Sequence, residues 1–188
     1  MEFMRIGILG GSFDPVHSGH ISLAKKALIQ LKLDVLFFLP AYIAPHKKRG
    51  IASASDRRNM IRLAVSGIEK FSISDEELKK RSKRYTYRTL GEFKKKYPGS
   101  RLFFIIGSDS AADFEKWKRP NEIREFSTVA VGVRAGHDFK KCGFVLLKGN
   151  IRDISSTAIR DRIKRGLPLK GFVPLAVENY IRKNNLYF

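Results

Sequence analysis

A single cysteine, Cys142, in 188 residues leaves no internal disulfide to form, which fits a protein kept in the reducing cytoplasm. Long apolar runs are missing as well: none approaches the ~20 residues that a bilayer crossing needs. No cleavable leader is expected either, because the first apolar run, residues 5–9, leads directly into a pair of glycines. Metal ligands are few. Beyond His17 and His20, only His46 and His137 accompany Cys142, whereas zinc wants three or four ligands. The commonest phosphate loops are absent: Gly7, Gly10 and Gly11 do not spell G-x-G-x-x-G, and no Gly-Lys-Ser/Thr follows them. Zinc-finger spacing, a basic zipper and RNP-type aromatic runs are lacking, as are repeats and low-complexity blocks. Acidic residues are scarce, with 18 Asp and Glu against 37 Lys and Arg and a net charge of +19.

Hydrophobic residues nevertheless make up 43% of the chain. That excludes a disordered chain and predicts one domain over residues 1–188 with a sizeable core. The excess positive charge has two readings. It is the footprint of nucleic-acid binding, and it equally gathers polyphosphate substrates by raising the local anion concentration. The basic residues are spread along the chain, with short runs at 79–84 and 94–96. Spread charge without a nucleic-acid motif favours small anionic substrates, with no dedicated nucleic-acid or membrane partner.

Residues 10–20, GGSFDPVHSGH, are the stretch around which the rest is organised. Residues 5–9 read as a buried strand before it, and Ile21, Leu23, Ala24, Ala27, Leu28 and Leu31 recur at helical spacing after it. In an open parallel sheet such a strand-to-helix junction lies at the carboxyl edge, where ligands bind. The helix start offers N–H groups and a positive dipole end to an anion. His17 and His20, three apart, face the same way if both sit on the first turn.

Residues 34–40 predict a second strand, ended by Pro40, and 41–51 a basic loop holding Pro45-His46-Lys47-Lys48 that leans over the first junction. Residues 55–66 predict a helix capped by Ser53 or Ser55. Residues 71–74 predict a short strand, and Thr86 is expected to cap the helix that follows. Tyr85-Thr86-Tyr87 either receives a carboxylate on its N–H groups or merely starts a helix. The clearest central strand is 101–107, running into Ser108-Asp109-Ser110. An aspartate there either accepts bonds from a ribose diol or caps a helix. Trp117 is either packing or a stacking platform for a flat ring, with stacking the reading taken here. Residues 127–133, ending at Arg134, and 144–147 complete the strands, and 174–184 form a closing helix. Strands alternating with helices predict an α/β fold with a doubly wound parallel sheet.

A second anchor is Ser155-Ser156-Thr157, three cap-type residues before a helix, with Arg160 one turn on. A cation in a first turn opposes the dipole by about 0.3–1 kcal/mol, so the placement makes sense if an anion sits there. Two anion-binding helix starts, an imidazole pair and added lysines describe a triphosphate site. No serine or cysteine has an obvious base partner, which points to direct in-line transfer. An attacking phosphate is already an anion, so alignment and charge neutralisation suffice.

His17-Ser18-Gly19-His20 with its G-x-F-D-P lead-in resembles the HxGH signature of the nucleotidyltransferase superfamily. Together with Pro45-His46-Lys47, Tyr85-Thr86, Ile106-Gly107-Ser108-Asp109, Trp117 and ISSTAIR at 154–160, the chain is similar to the bacterial nicotinate-nucleotide adenylyltransferases. The resemblance implies a Rossmann-like nucleotidyltransferase fold and transfer of AMP from ATP to nicotinate mononucleotide in NAD biosynthesis. It implies catalytic roles for His17, His20 and Arg160, and contact with ATP by Gly10, Ser12, Phe13, Gly107, Asp109, Ser155, Ser156 and Thr157. Nicotinate mononucleotide falls to Lys47, Tyr85, Thr86, Trp117 and Arg134. No side chain is assigned to a metal; Mg2+ is expected with the ATP. The alternatives are a sister enzyme acting on nicotinamide mononucleotide or phosphopantetheine, or a basic nucleic-acid-binding module.

Overall fold

Two strands rich in buried aliphatic and aromatic side chains, lying side by side, carry the architecture. They are β1 (Arg5–Gly11) and a later strand, Arg101–Gly107, paired in parallel from Arg5 opposite Arg101 to Leu9 opposite Ile105. The structure, a computed structural model, describes residues 3–42, 52–82, 84–134, 139 and 142–188. From β1 the chain passes through helix α1 (Ser18–Gln30), strand β2 (Val35–Pro40), helix α2 (Ala54–Val65) and strand β3 (Phe71–Ile73). Helices α3 (Glu76–Lys79) and α4 (Thr86–Lys96) then lead into β4 (Arg101–Gly107). Helix α5 (Ser108–Ala112), a 3-10 turn at Phe114–Lys116 and helix α6 (Pro120–Phe126) follow, then strands β5 (Thr128–Arg134) and β6 (Val145–Ile151). Helices α7 (Ser156–Lys164) and α8 (Leu175–Lys183) complete the order.

The six strands lie in the order β3-β2-β1-β4-β5-β6, every pairing parallel. The winding reverses between β1 and β4, which opens a crevice beyond their carboxyl ends. Alternation along each strand sends side chains to two cores. Leu9, Phe103 and Ile105 pack with α1, α2, α7 and α8, while Ile6, Ile8, Phe104 and Ile106 pack with α4, α5 and α6. Each large aliphatic or aromatic side chain buried there is worth about 1.5–3 kcal/mol. The expected doubly wound α/β sheet is therefore present. Among the described residues no helix is long and apolar enough to cross a membrane.

Boundaries shift where local signals are weak. β1 runs on through Gly10 and Gly11, so those glycines end the strand instead of filling the loop. β6 extends to Ile151, past the residues 144–147 that read as strand, and it is an edge strand with Val145 and Leu146 exposed. Its polar half is braced by Gln30, whose amide bonds both the C=O and the N–H of Lys148. Ser53, one of the two candidates, caps α2 by accepting the Asp56 N–H at 3.0 Å. Thr86 is the first residue inside α4, and Tyr85 occupies the cap without a side-chain hydrogen bond. The three lysines at the end of α4, Lys94 to Lys96, complement the negative end of its dipole.

Candidate functional site

His17 is the N-cap of α1 and His20 its third residue, and each imidazole caps the other's backbone. His17 Nδ1 accepts the His20 N–H and His20 Nδ1 accepts the His17 N–H, both at 3.3 Å. The rings stack with centroids 3.6 Å apart and planes 27° from parallel. With both Nδ1 lone pairs occupied, a neutral ring carries its proton on Nε2. Each histidine then has a fixed donor at the far side of its ring. Gly19 suits this packing: a Cβ there would lie a tight 3.0 Å from His17 Nδ1 and 3.1 Å from the Arg152 carbonyl oxygen. The N–H of Ser18 is bonded to Phe172 O at 2.8 Å. The start of α1 therefore satisfies the N–H groups of His17, Ser18 and His20 within the protein, and the imidazoles become its main outward donors.

The loop ahead of His17 is held from several sides. Phe13, at a left-handed φ of 48°, buries its ring against His20 and Phe38, with centroids 4.9 and 5.7 Å away. Buried Arg57 donates to the carbonyls of Ser12, Ala41 and Tyr42 at 2.8, 2.6 and 2.9 Å. Burial lowers the pKa of this guanidinium from its ordinary value, and the nearby Asp14 carboxylate works the other way.

Ser155 is the N-cap of α7 and accepts the Ala158 N–H at 3.1 Å. Ser156 Oγ donates to Pro15 O at 2.9 Å, tying α7 to the histidine loop. Arg160 lies five residues into the helix, beyond the first turn where it was expected to oppose the dipole. Its side chain reaches back, as helical side chains do, and donates to Asp14 O at 2.8 Å and Thr157 Oγ1 at 3.1 Å.

These groups surround one cavity of about 370 Å³. Gly10, Ser12, Phe13, His17, His20, Ser155, Ser156, Thr157 and Arg160 line it, together with Thr86, Gly107, Asp109 and Trp117. A Cβ on Gly107 would meet nothing within 4 Å, so that glycine leaves space at the cavity wall. Trp117 is half-buried, its ring 5.4 Å from Phe114 and 6.0 Å edge-on to Phe104, so one side packs while the residue still lines the cavity. The packing reading holds, and the ring also borders the cavity.

Three assignments fare differently. Tyr85 is exposed, stacks its ring 6.4 Å from Tyr87 and is not part of the cavity wall. Lys47 lies outside the described residues, and Arg134 ends β5 with its side chain outside them. In turn, Glu77 and Arg84 line the cavity although the sequence did not single them out. Glu77 accepts the Thr89 hydroxyl at 2.9 Å, and burial raises its pKa above the usual carboxylate range. Arg84 pairs with Glu92 at 2.7 Å. Both sit in a charge-rich stretch, 75–84, where nothing in the spacing distinguishes a wall residue from a solvated one.

Comparison with known proteins meets this geometry. A profile of the cytidylyltransferase-like family matches residues 8–162. A protein of Clostridium tetani named probable nicotinate-nucleotide adenylyltransferase is 40% identical, the match covering 96% of this chain and 97% of that one. The chain belongs to the nicotinate-nucleotide adenylyltransferase family. Another member, from Carboxydothermus hydrogenoformans and again named as probable, is 39% identical over the full length of both chains. Among solved structures, the Plasmodium falciparum nicotinic acid mononucleotide adenylyltransferase complexed with NaAD superimposes with a TM-score of 0.83. It covers 98% of this chain and 97% of its own at 22% identity, a likeness of fold. Family membership thus covers the cavity from the His17 loop to Arg160.

Proposed function

We infer that the protein transfers AMP from ATP to nicotinate mononucleotide, forming deamido-NAD and pyrophosphate. A phosphate oxygen of the mononucleotide attacks the α-phosphorus in line. The new P–O bond forms as the bond from the α-phosphorus to the bridging oxygen breaks, and pyrophosphate leaves with that electron pair. No proton must be removed from the nucleophile, so catalysis rests on alignment and on neutralising the phosphates. Alignment is worth up to ~7–11 kcal/mol and one preorganised donor about 3–4 kcal/mol. His17 and His20 are assigned the α- and β-phosphates through Nε2–H. Arg160, with the start of α7, takes the β- and γ-phosphates. Gly107 and Asp109 receive the adenosine ribose.

The observation that carries this reading is one cavity lined by both the stacked histidines and Arg160. The described residues include no group of three or more His, Cys, Asp or Glu able to hold a metal ion. The donors at the phosphate end are cations and N–H or O–H groups, which fit a metal carried by the phosphates. Magnesium is accordingly proposed to travel with ATP, held mainly by its oxygens. The single exposed Cys142 accords with a cytoplasmic setting.

The acid form of the pyridine nucleotide is favoured by the start of α4, where Thr86 presents a helix N-terminus to the cavity. Arg84 adds positive charge nearby, and burial holds the pKa of Glu77 above the usual carboxylate range. A charge-assisted hydrogen bond of ~1.5–3 kcal/mol corresponds to roughly 10- to 100-fold discrimination against the amide. Pyrophosphate release with ATP and magnesium should therefore be fastest with nicotinate mononucleotide, slower with nicotinamide mononucleotide by about that factor, and absent with phosphopantetheine. Equal rates with acid and amide would remove the specificity argument. Turnover with phosphopantetheine alone, or only salt-sensitive oligonucleotide binding, would remove the reading itself.

Gly107 supplies a cleaner probe of the ribose end. Gly107→Ala adds a methyl that touches no protein atom within 4 Å, so stability should stay within about 0.5 kcal/mol of wild type. The same methyl occupies space assigned to the nucleotide, and the KM for ATP should rise several-fold in steady-state assays. An unchanged KM would take Gly107 out of the ATP site.

A further inference from the structure

Asp14 is 3% exposed and sits three residues before His17, at a point where three separate parts of the chain meet. Its Oδ1 accepts the Ala52 N–H at 3.1 Å and the Tyr187 hydroxyl at 2.7 Å, and its main-chain O accepts Arg160 Nη1 at 2.8 Å. Tyr187 lies in the segment after α8, at a left-handed φ of 71°, and is 7% exposed. It does not line the cavity. Burial and the Asp14 carboxylate push its hydroxyl well above the ordinary tyrosine range, so it remains a donor at any working pH. Its sequence distance from Asp14 is 173 positions. A non-Gly residue in the left-handed region carries a conformational cost that its surroundings must offset, and the buried bond to Asp14 is such a compensation.

We propose that Tyr187 is a positioning residue for the transfer step: by holding the Asp14 carboxylate it fixes the histidine loop and Arg160 relative to one another without touching substrate. A shift of Asp14 moves two things together. One is the main-chain oxygen on which Arg160 rests, and the other is the short link, Pro15-Val16, that leads to His17. Both phosphate-binding groups therefore depend on one anchored residue. In-line displacement is sensitive to such a shift, because misplacement by 1 Å costs up to about 100-fold. Binding of either substrate, spread over many contacts, is much less sensitive.

The inference rests on the adenylyl-transfer reading, and the test separates the two. In Tyr187→Phe, kcat for pyrophosphate release should fall about tenfold while both KM values stay within about twofold, the signature of lost transition-state alignment. In an Asp14→Ala background the same change should have no further effect on kcat, because its route of action is gone. The imidazole NMR resonances of His17 and His20 should shift in Tyr187→Phe and stay put in Phe188→Ala, a control at an exposed neighbour. A lower melting temperature with unchanged kcat would overturn the proposal, as would a kcat loss that persists undiminished in the Asp14→Ala background. Should Asp14→Ala not fold, the histidine resonances decide, and their staying unmoved in Tyr187→Phe overturns it. Wild-type protein that does not turn over nicotinate mononucleotide counts against the catalytic reading, whereas the resonances still report whether Tyr187 holds the loop.

Discussion

His20→Ala is expected to lower kcat by about 100-fold or more, the cost of deleting a preorganised donor. It also deletes the acceptor for the His17 N–H and the ring against which Phe13 packs at 4.9 Å. Loss of a cap costs about 0.5–2 kcal/mol, against a typical total stability of 5–15 kcal/mol, so the variant should remain folded with a lower melting temperature. His20→Gln separates the two effects. A glutamine at the third helical position can reach back to the cap N–H, as in a capping box, yet it presents no imidazole Nε2–H to the phosphates. Calorimetry should show His20→Gln recovering part of the lost stability while pyrophosphate release stays near the alanine value. Turnover within a few-fold of wild type in His20→Ala would dismiss the histidine as a catalytic group.

Arg160→Ala should be comparably severe, lowering kcat/KM for ATP by about 100- to 1,000-fold as a charged donor is lost. Its stability cost has a different source. The Asp14 main-chain oxygen and Thr157 Oγ1 both lose a partner, and a buried acceptor left unpaired costs ~1–3 kcal/mol. Arg160→Lys keeps the charge but not the fork. One ammonium cannot serve the Asp14 oxygen and a phosphate with the same planar geometry. Its kcat/KM should lie between those of wild type and the alanine variant, with KM for ATP recovering more than kcat. If lysine restored wild-type kinetics, the guanidinium would be acting as a point charge only.

Much of this site was legible because its parts are local. The run from Arg5 to Leu9 and the run from Arg101 to Gly107 are short, apolar and bounded, so both read as buried strands and the second as a central one. His17 with His20, and Ser156 and Thr157 with Arg160, lie within a turn or so of each other, and helical geometry alone set them on one side. What escaped depends on contacts distant in sequence. Arg57 reaches Ser12 across 45 positions and Tyr187 reaches Asp14 across 173, and no spacing rule links them. Glu77 and Arg84 were hidden by their charged neighbours. Of the expected pair Tyr85 and Thr86, only Thr86 lines the cavity: the helix begins there, and the exposed Tyr85 ring stacks on Tyr87. β6 was read too short because its second half, Lys148-Gly149-Asn150, is polar, as an edge strand with one neighbour permits.

The reciprocal pairing of His17 and His20 makes the α-helix itself the ruler of the distance between the two rings. At 3.6 residues per turn, one residue inserted between them would swing the second ring by about 100°, away from its companion. The distance between the two donors is thus written into main-chain pitch, not into the packing of the surrounding core. Where most of the fold tolerates an added residue in a loop, the count of residues from one ring to the other has no such freedom.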